Sequence, residues 1–328
     1  MNVLYILGNG FDLAMGLKTS YPDFYKYLET FTGSELLERM KDEIKADKKN
    51  WSDMEEAFGK YTLNLKSQNE LGGLYKDLNL CLQDYLMLQQ KHFNPTYDQK
   101  KSFNNEFSSP VDSFIEGTDI QKFNSMVLEN RYCHFNVVSF NYTDTLEKLL
   151  DYDENKRPKA TLKSGTMGSI VHVHGVLGDS IIFGVDNTRQ IANTSFKQNR
   201  DATDLLIKKN SIEVLKSQDY ENFEKLITEA NLIILYGVSL GLTDKSWWKR
   251  IKEELLNRED LRLVVHIFSP NSDHRTKQFA GHDERDFERL FVERSGLRLK
   301  KLPEGLKDKV IFTVNSKAFK LKPQNSRY

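Results

Sequence analysis

The opening of the chain constrains its fold more than any other stretch. Val3-Leu4-Tyr5-Ile6-Leu7 is an unbroken aliphatic and aromatic run that passes directly into Gly8-Asn9-Gly10-Phe11-Asp12-Leu13-Ala14-Met15-Gly16. A buried strand, a glycine turn and a helix start, in that order, predict the first βα unit of a doubly wound sheet. Glycines at 8 and 10 would let backbone N–H groups approach a pyrophosphate that side chains would obstruct. The spacing is not G-x-G-x-x-G, because Leu stands at 13 and the third glycine is Gly16. Taken alone, the turn also fits a tight bend needing positive φ at Gly8 or Gly10. Asp12 alone also fits a helix N-terminal carboxylate stabilised by the dipole.

Four further segments read as strands: Phe135 to Phe140, Ile170 to His174, Leu232 to Tyr236 and Leu261 to Phe268. Ile181 to Val185 and Val310 to Val314 are weaker candidates. Several are apolar almost throughout, as strands covered by helices on both faces are, so a parallel sheet is expected. The long stretch between the first two strands is helical in pattern. Leu71 to Phe93 keeps an apolar stripe through Leu74, Leu78, Cys81, Leu82, Tyr85, Leu86 and Leu88, and Ser52 with Glu55 reads as a capping box. A second helical stretch runs from about Ser195 to Glu229. Asn94 to Pro110, Asp151 to Gly168 and the basic tail after Ser316 read as loops.

Polar residues at strand ends carry the functional expectation, since ligands of open α/β sheets bind outside the carboxyl ends of the strands. Asn141 follows Val137-Val138-Ser139-Phe140, with Asp144 and Glu147 spaced as helix cap and N3 partner behind it. Its amide can orient a water or a ribose hydroxyl, or close the strand as an Asx turn. His174 ends Ile170-Val171-His172-Val173-His174 and can take a proton near neutral pH, or be merely hydrogen-bonded there. His172 is expected one layer deeper, as a hydrogen-bonded neighbour. Gly237 and Ser239 follow the strand at Leu232 and could admit a phosphate or ribose, or form a βα turn before a helix capped by Thr243 or Asp244. Ser269 stands likewise after the last of the five.

Charge and cysteine usage narrow the classes. Lys+Arg and Asp+Glu both count 47, so no global positive field attracts nucleic acid or an anionic membrane. The first apolar run ends at Gly8, too short for a signal peptide or a membrane span. Cys81 and Cys133 are the only cysteines. Two cannot build a four-thiolate zinc site, and they fit a reducing cytoplasm with free thiols.

Together these motifs resemble the sirtuin-like NAD-binding superfamily. Gly8, Gly10 and Gly16 match its G-x-G-x(5)-G pattern, Asn141 its strand-terminal Asn, His174-Gly175 its His-Gly, and Gly237 with Ser239 its glycine-serine turn. In detail the chain is most similar to the AbiH-type abortive-infection proteins of bacteria, through LYILGNGFDLAMGLKTSY, Trp51-Ser52-Asp53-Met54-Glu55, SFNYTDTLEKL and HVHGVLGDSIIFGVDN. The resemblance implies a Rossmann-like parallel sheet of the sirtuin-like type with a large helical insertion. Residues 1–33 and 132–328 would form the nucleotide-binding α/β domain and residues 34–131 the helical insertion or cap. The two cysteines and the displacement of the Asp expected two residues after Asn141 argue against protein deacetylation.

What the resemblance implies is an NAD+ glycohydrolase of anti-phage abortive infection, located in the cytoplasm, with NAD as substrate and no metal. Asn141 and His174 would be catalytic. Gly8, Asn9, Gly10, Phe11, Asp12, Gly16, Gly237, Ser239 and Ser269 would bind the nucleotide. A homo-oligomer and a phage-derived trigger are expected partners, while a membrane or nucleic acid is not. The alternatives are a module that senses NAD or ADP-ribose without turnover, and an ADP-ribosyl transferase.

Overall fold

A computed structural model describes residues 1–115, 132–152, 162–270, 277–299, 301–316 and 318–319. Six strands form one parallel sheet: β1 (Asn2–Leu7), β2 (Cys133–Ser139), β3 (Gly165–His172), β4 (Leu232–Tyr236), β5 (Arg262–Ile267) and β6 (Val310–Val314). Their order is β3-β2-β1-β4-β5-β6, the arrangement of a doubly wound α/β fold whose connections diverge between β1 and β4.

Both faces of the sheet are buried, which explains the continuous apolar strands. Leu4, Ile6, Val138, Ile233, Leu235, Leu263 and Val265 join one core with Trp247, Trp248 and Phe291. Val3, Tyr5, Leu7, Phe135, Val137, Ile234 and Val264 join another with Phe103, Phe107 and Phe114. Alternate residues of each strand feed opposite cores, as the two-residue period requires.

The helices between β1 and β2 are α1 (Asn9–Ala14), α2 (Tyr21–Leu28), α3 (Glu35–Ala46), α4 (Met54–Tyr61), α5 (Gln68–His92), α6 (Tyr97–Phe107) and α7 (Pro110–Phe114). Residues 116–131 of the expected insertion lie outside the described part. The apolar stripe expected along α5 is buried from Leu71 to Leu86, except that Leu88 is exposed. It joins Phe24, Met40, Met54 and Phe58 in a third core, which Ile181, Phe183, Val185, Phe196 and Leu206 complete. Cys81 and Cys133 are free thiols, buried in different cores.

Several local expectations are corrected. Asn94 to Pro110 is largely helix: Thr96 and Gln99 form a capping box at the start of α6, and Phe103 and Phe107 anchor it to the sheet. Ile181 to Val185 is not a strand. It makes only isolated bridges at its ends, Gly175 with Ile181 and Val185 with Ile207; Ile181, Phe183 and Val185 pack in the helical core, while Ile182 faces the core of the sheet. The cap of α4 is Asp53, whose carboxylate accepts the amides of Glu55 and Glu56, rather than Ser52. Asp144 precedes the helix Thr145–Leu149 without a side-chain cap, and Glu147 is used elsewhere. The stretch from Ser195 breaks into helices Thr194–Lys197, Arg200–Leu206, Lys208–Val214 and Asp219–Glu229. Of Asp151 to Gly168, residues 153–161 are outside the described part and the end belongs to β3; the tail after Ser316 is outside it except for residues 318–319.

Candidate active site

Strand register brings the functional candidates to one edge. Leu7 lies opposite Ser139 and Tyr236, and Ser139 lies opposite His172, so four strands end level. The segments that leave them line a cavity of about 830 Å³, within the size range of small-molecule sites. Gly8, Asn9, Gly10, Asp12, Asn141, His174, Gly237 and Ser239 are all on its wall.

The glycines serve a different purpose from the one expected. A Cβ on Gly8 would stand 2.5 Å from the Gly237 oxygen, and one on Gly10 would stand 2.6 Å from Gly237 Cα. The β1 and β4 turns therefore touch backbone to backbone, and Gly237 itself holds φ +68°. Neither Gly8 nor Gly10 is among the positive-φ residues. The amides of Gly8, Gly10 and Phe11 donate to the carbonyls of Tyr236 (3.0 Å), Gly237 (2.9 Å) and Gly8 (2.8 Å). These three are engaged inside the protein rather than presented as a pyrophosphate cradle.

Three expected nucleotide contacts are not on the wall. Phe11 is a core side chain, and Gly16, at φ +90°, shapes the exit from α1. Ser269 is tied to β6: its amide donates to Asn315 Oδ1 and its carbonyl accepts from Asn315 Nδ2. Its neighbour Phe268 lines the cavity instead, 77% exposed. Asp186, Asn187 and Arg189 do not line it either.

Asp12 is 1% exposed and accepts a hydrogen bond from Thr143 Oγ1 at 2.6 Å through Oδ2, while its Oδ1 has no hydrogen-bond partner. Burial pushes its carboxyl up to about 6 against the lowering effect of Thr143, Thr145, His172 and Asn141. Asn141 donates through Nδ2 to the Gly8 carbonyl (3.1 Å), which ties the β2 end to the β1 turn. Asn9 is paired with Thr19, accepting its hydroxyl at 2.6 Å. Ser239 is exposed at the turn after β4, beside Leu240, a buried non-glycine residue at φ +54°. Such strain persists where surrounding contacts impose it.

His174 belongs to a buried charged chain that sequence reasoning missed. Its Nε2 stands 3.4 Å from Asp244 Oδ1, which is 2.8 Å from Lys208 Nζ, which is 2.8 Å from Glu55 Oε2. Glu55 Oε1 accepts the Gly184 amide at 3.2 Å. All four line the cavity and come from distant segments. Burial alone would raise Asp244, but Lys208 and His174 outweigh it and hold the carboxyl well below the usual range. Burial alone would lower Lys208, but Asp244 and Glu55 keep it protonated. Burial raises Glu55 and Asp53.

By sequence Asp244 and Glu55 suit a helix cap and a capping box, and nothing in the local sequence marks Lys208. The one available signal was the Trp51-Ser52-Asp53-Met54-Glu55 segment. His172 stands where expected, behind the wall, with Nδ1 3.0 Å from the Asn141 oxygen and Nε2 2.7 Å from Glu147 Oε1. Burial would lower it, but Glu147 overrides this and raises it.

This geometry offers a histidine with a buried carboxylate beside it, a second buried carboxylate with a spare oxygen, and a fixed carboxamide, all around one cavity. It suits proton transfer to or from a bound ligand. A family model described as bacteriophage abortive infection AbiH matches residues 4–266. No curated protein matches the chain.

Proposed function

The chain belongs to the AbiH family of bacteriophage abortive infection, and from that premise we propose that it acts in anti-phage defence by hydrolysing the nicotinamide–ribose bond of NAD+ in this cavity. The observation that carries the reading is the meeting of Asn141, His174 and Asp12 on one wall, with Asp244 buried against His174. In this reading the bond between ribose C1′ and the nicotinamide nitrogen breaks, and its electron pair leaves with neutral nicotinamide. Water adds to the oxocarbenium-like carbon and gives up a proton, leaving ADP-ribose.

His174 takes that proton. With Nε2–H turned to Asp244, Nδ1 is the accepting nitrogen, and a carboxylate that fixes the tautomer is the usual device for such a base. Asn141 has Nδ2 fixed on Gly8, which turns its other end, an acceptor, to the water or a ribose hydroxyl. Asp12 and Ser239 contact the ribose or phosphate, and Gly8, Gly10 and Gly237 let the two turns close behind the ligand. Holding the ribose and delivering water is most of what a good leaving group requires.

NAD+ labelled in the adenylate half tests the reading against its alternatives. Labelled free ADP-ribose is expected. Label on protein or nucleic acid would make the protein a transferase, and tight binding of unchanged NAD+ would make it a sensor.

A further inference from the structure

Gly241, in the turn after β4, has no conformational need to be glycine, since its φ of −57° and ψ of 155° suit any residue. A Cβ there would meet only three oxygens of the cavity wall, at ordinary contact distance: Ser239 Oγ and Thr243 Oγ1 at 3.6 Å and Asp53 Oδ2 at 3.9 Å. Among the described residues none of these oxygens has a hydrogen-bond partner, and none is sealed from solvent as Asp12 Oδ1 is. Thr243 is only 3% exposed, so the space its hydroxyl reaches is the cavity it lines. A buried hydroxyl without a protein partner is satisfied by water or by a ligand. The three groups are held in place from behind. Asp53 Oδ1 accepts the amides of Glu55 and Glu56, both at 3.1 Å, which leaves Oδ2 for the turn, and Trp248 Nε1 pins that turn by donating to the Gly241 carbonyl at 3.0 Å. Burial raises the Asp53 carboxyl, a cost that a donor arriving at Oδ2 would offset. One carboxylate and two hydroxyls suit groups that both donate and accept, as sugar hydroxyls do, while a phosphate would be repelled. Thr243 precedes Asp244, whose carboxylate stands 3.4 Å from His174 Nε2, so a sugar held here lies close to the histidine.

We infer that Asp53, Ser239 and Thr243 form a subsite for the hydroxyl pair of a sugar on the ligand, with Gly241 leaving the room for it. The helical segment between β1 and β2, which carries Asp53, is then part of the binding site and not only a cover over it. That this sugar is the nicotinamide ribose rests on the NAD reading, but the recognition of a sugar diol does not.

Ligand-observed NMR titration of the full chain with ADP-ribose and with ADP, which lacks the second sugar, tests the inference. Carba-NAD+, whose ring bond resists hydrolysis, and methyl β-D-riboside complete the probe set. ADP-ribose should bind at least about tenfold more tightly than ADP. Asp53→Asn keeps a side-chain oxygen for the α4 cap and should bring that gap within about threefold, with ADP affinity unchanged. Gly241→Ala, which strains no backbone and fills the space between the oxygens, should do the same, and it decides if Asp53→Asn fails to fold. A gap that is absent, or that survives both variants, would overturn the subsite and leave the NAD reading standing. Equal weakening of ADP-ribose and ADP would reduce Asp53 to a helix cap and overturn it too. Methyl β-D-riboside bound in an Asp53-dependent way, with neither carba-NAD+ nor ADP-ribose bound, would keep the subsite and remove the NAD reading. No binding of any probe would overturn the whole inference.

Discussion

Burial lifts the Asp12 carboxyl from 3.8 to about 6, so at neutral pH the folded chain carries a charge it would rather neutralise. Because the folded-state value lies above the unfolded one, folding takes up a proton in the window between them. The stability this group contributes is fully present below about pH 4 and is lost as pH rises through about 6. The loss is on the order of 3 kcal/mol. Asp12→Asn is therefore expected to be more stable than the parent by about 1–3 kcal/mol near pH 7.5 and equally stable near pH 4. Urea unfolding at both values checks this, and a gap that does not change with pH would contradict it. The glycines offer a contrast at the same scale. Gly10→Ala forces a Cβ against immovable backbone of Gly237 and should cost about 3 kcal/mol. Gly16→Ala meets nothing within 4 Å and should cost only about 1 kcal/mol, from its positive φ. Thermal and chemical melts of the two variants give the comparison.

Elements meet through charge as well as through apolar cores. Glu55 of α4, Lys208 at the start of its helix, Asp244 before Lys245–Asn257 and His174 after β3 form one chain. Removing the central cation leaves two buried carboxylates facing each other. Lys208→Met should cost about 3–5 kcal/mol at neutral pH, and adding Glu55→Gln should recover part of that. Unfolding free energies of the single and double variants test the coupling.

The elements also show what could be read in advance. The strands were legible because both faces of the sheet are buried, so their residues are apolar without alternation. Ile181 to Val185 has the same composition, yet it wedges between cores, with Ile181, Phe183 and Val185 among helices and Ile182 toward the sheet, a distinction that composition does not carry. Helix α6 was hidden by its polar face although the Thr96 and Gln99 signal was present. Asn141 and His174 were legible because they directly follow strands. Lys208 was not, since its partners lie 153 and 36 residues away. Asp144, Asp244 and Glu55 each suit a helix start by type, and only the tertiary structure gives two of them to buried ion pairs instead.

For the whole molecule, equal counts of acidic and basic residues conceal an uneven distribution: Asp12, Asp53, Glu55, Glu56 and Asp244 line the cavity at the carboxyl edge of the sheet, beside Lys208 and Arg294. The order β3-β2-β1-β4-β5-β6 creates that cavity by sending connections apart between β1 and β4. Helices α2, α4 and α5 line it through Tyr21, Glu55 and Leu82, with Asp53 at the cap of α4. Among the described residues no helix is long and apolar enough to cross a membrane. Free nicotinamide, followed over time after mixing NAD+ with the purified chain at several protein concentrations, beside His174→Ala, bears most directly on the central claim. Release should rise with protein and fall by at least about 100-fold in the variant. Intact NAD+ at every concentration, despite saturable binding, would contradict cleavage.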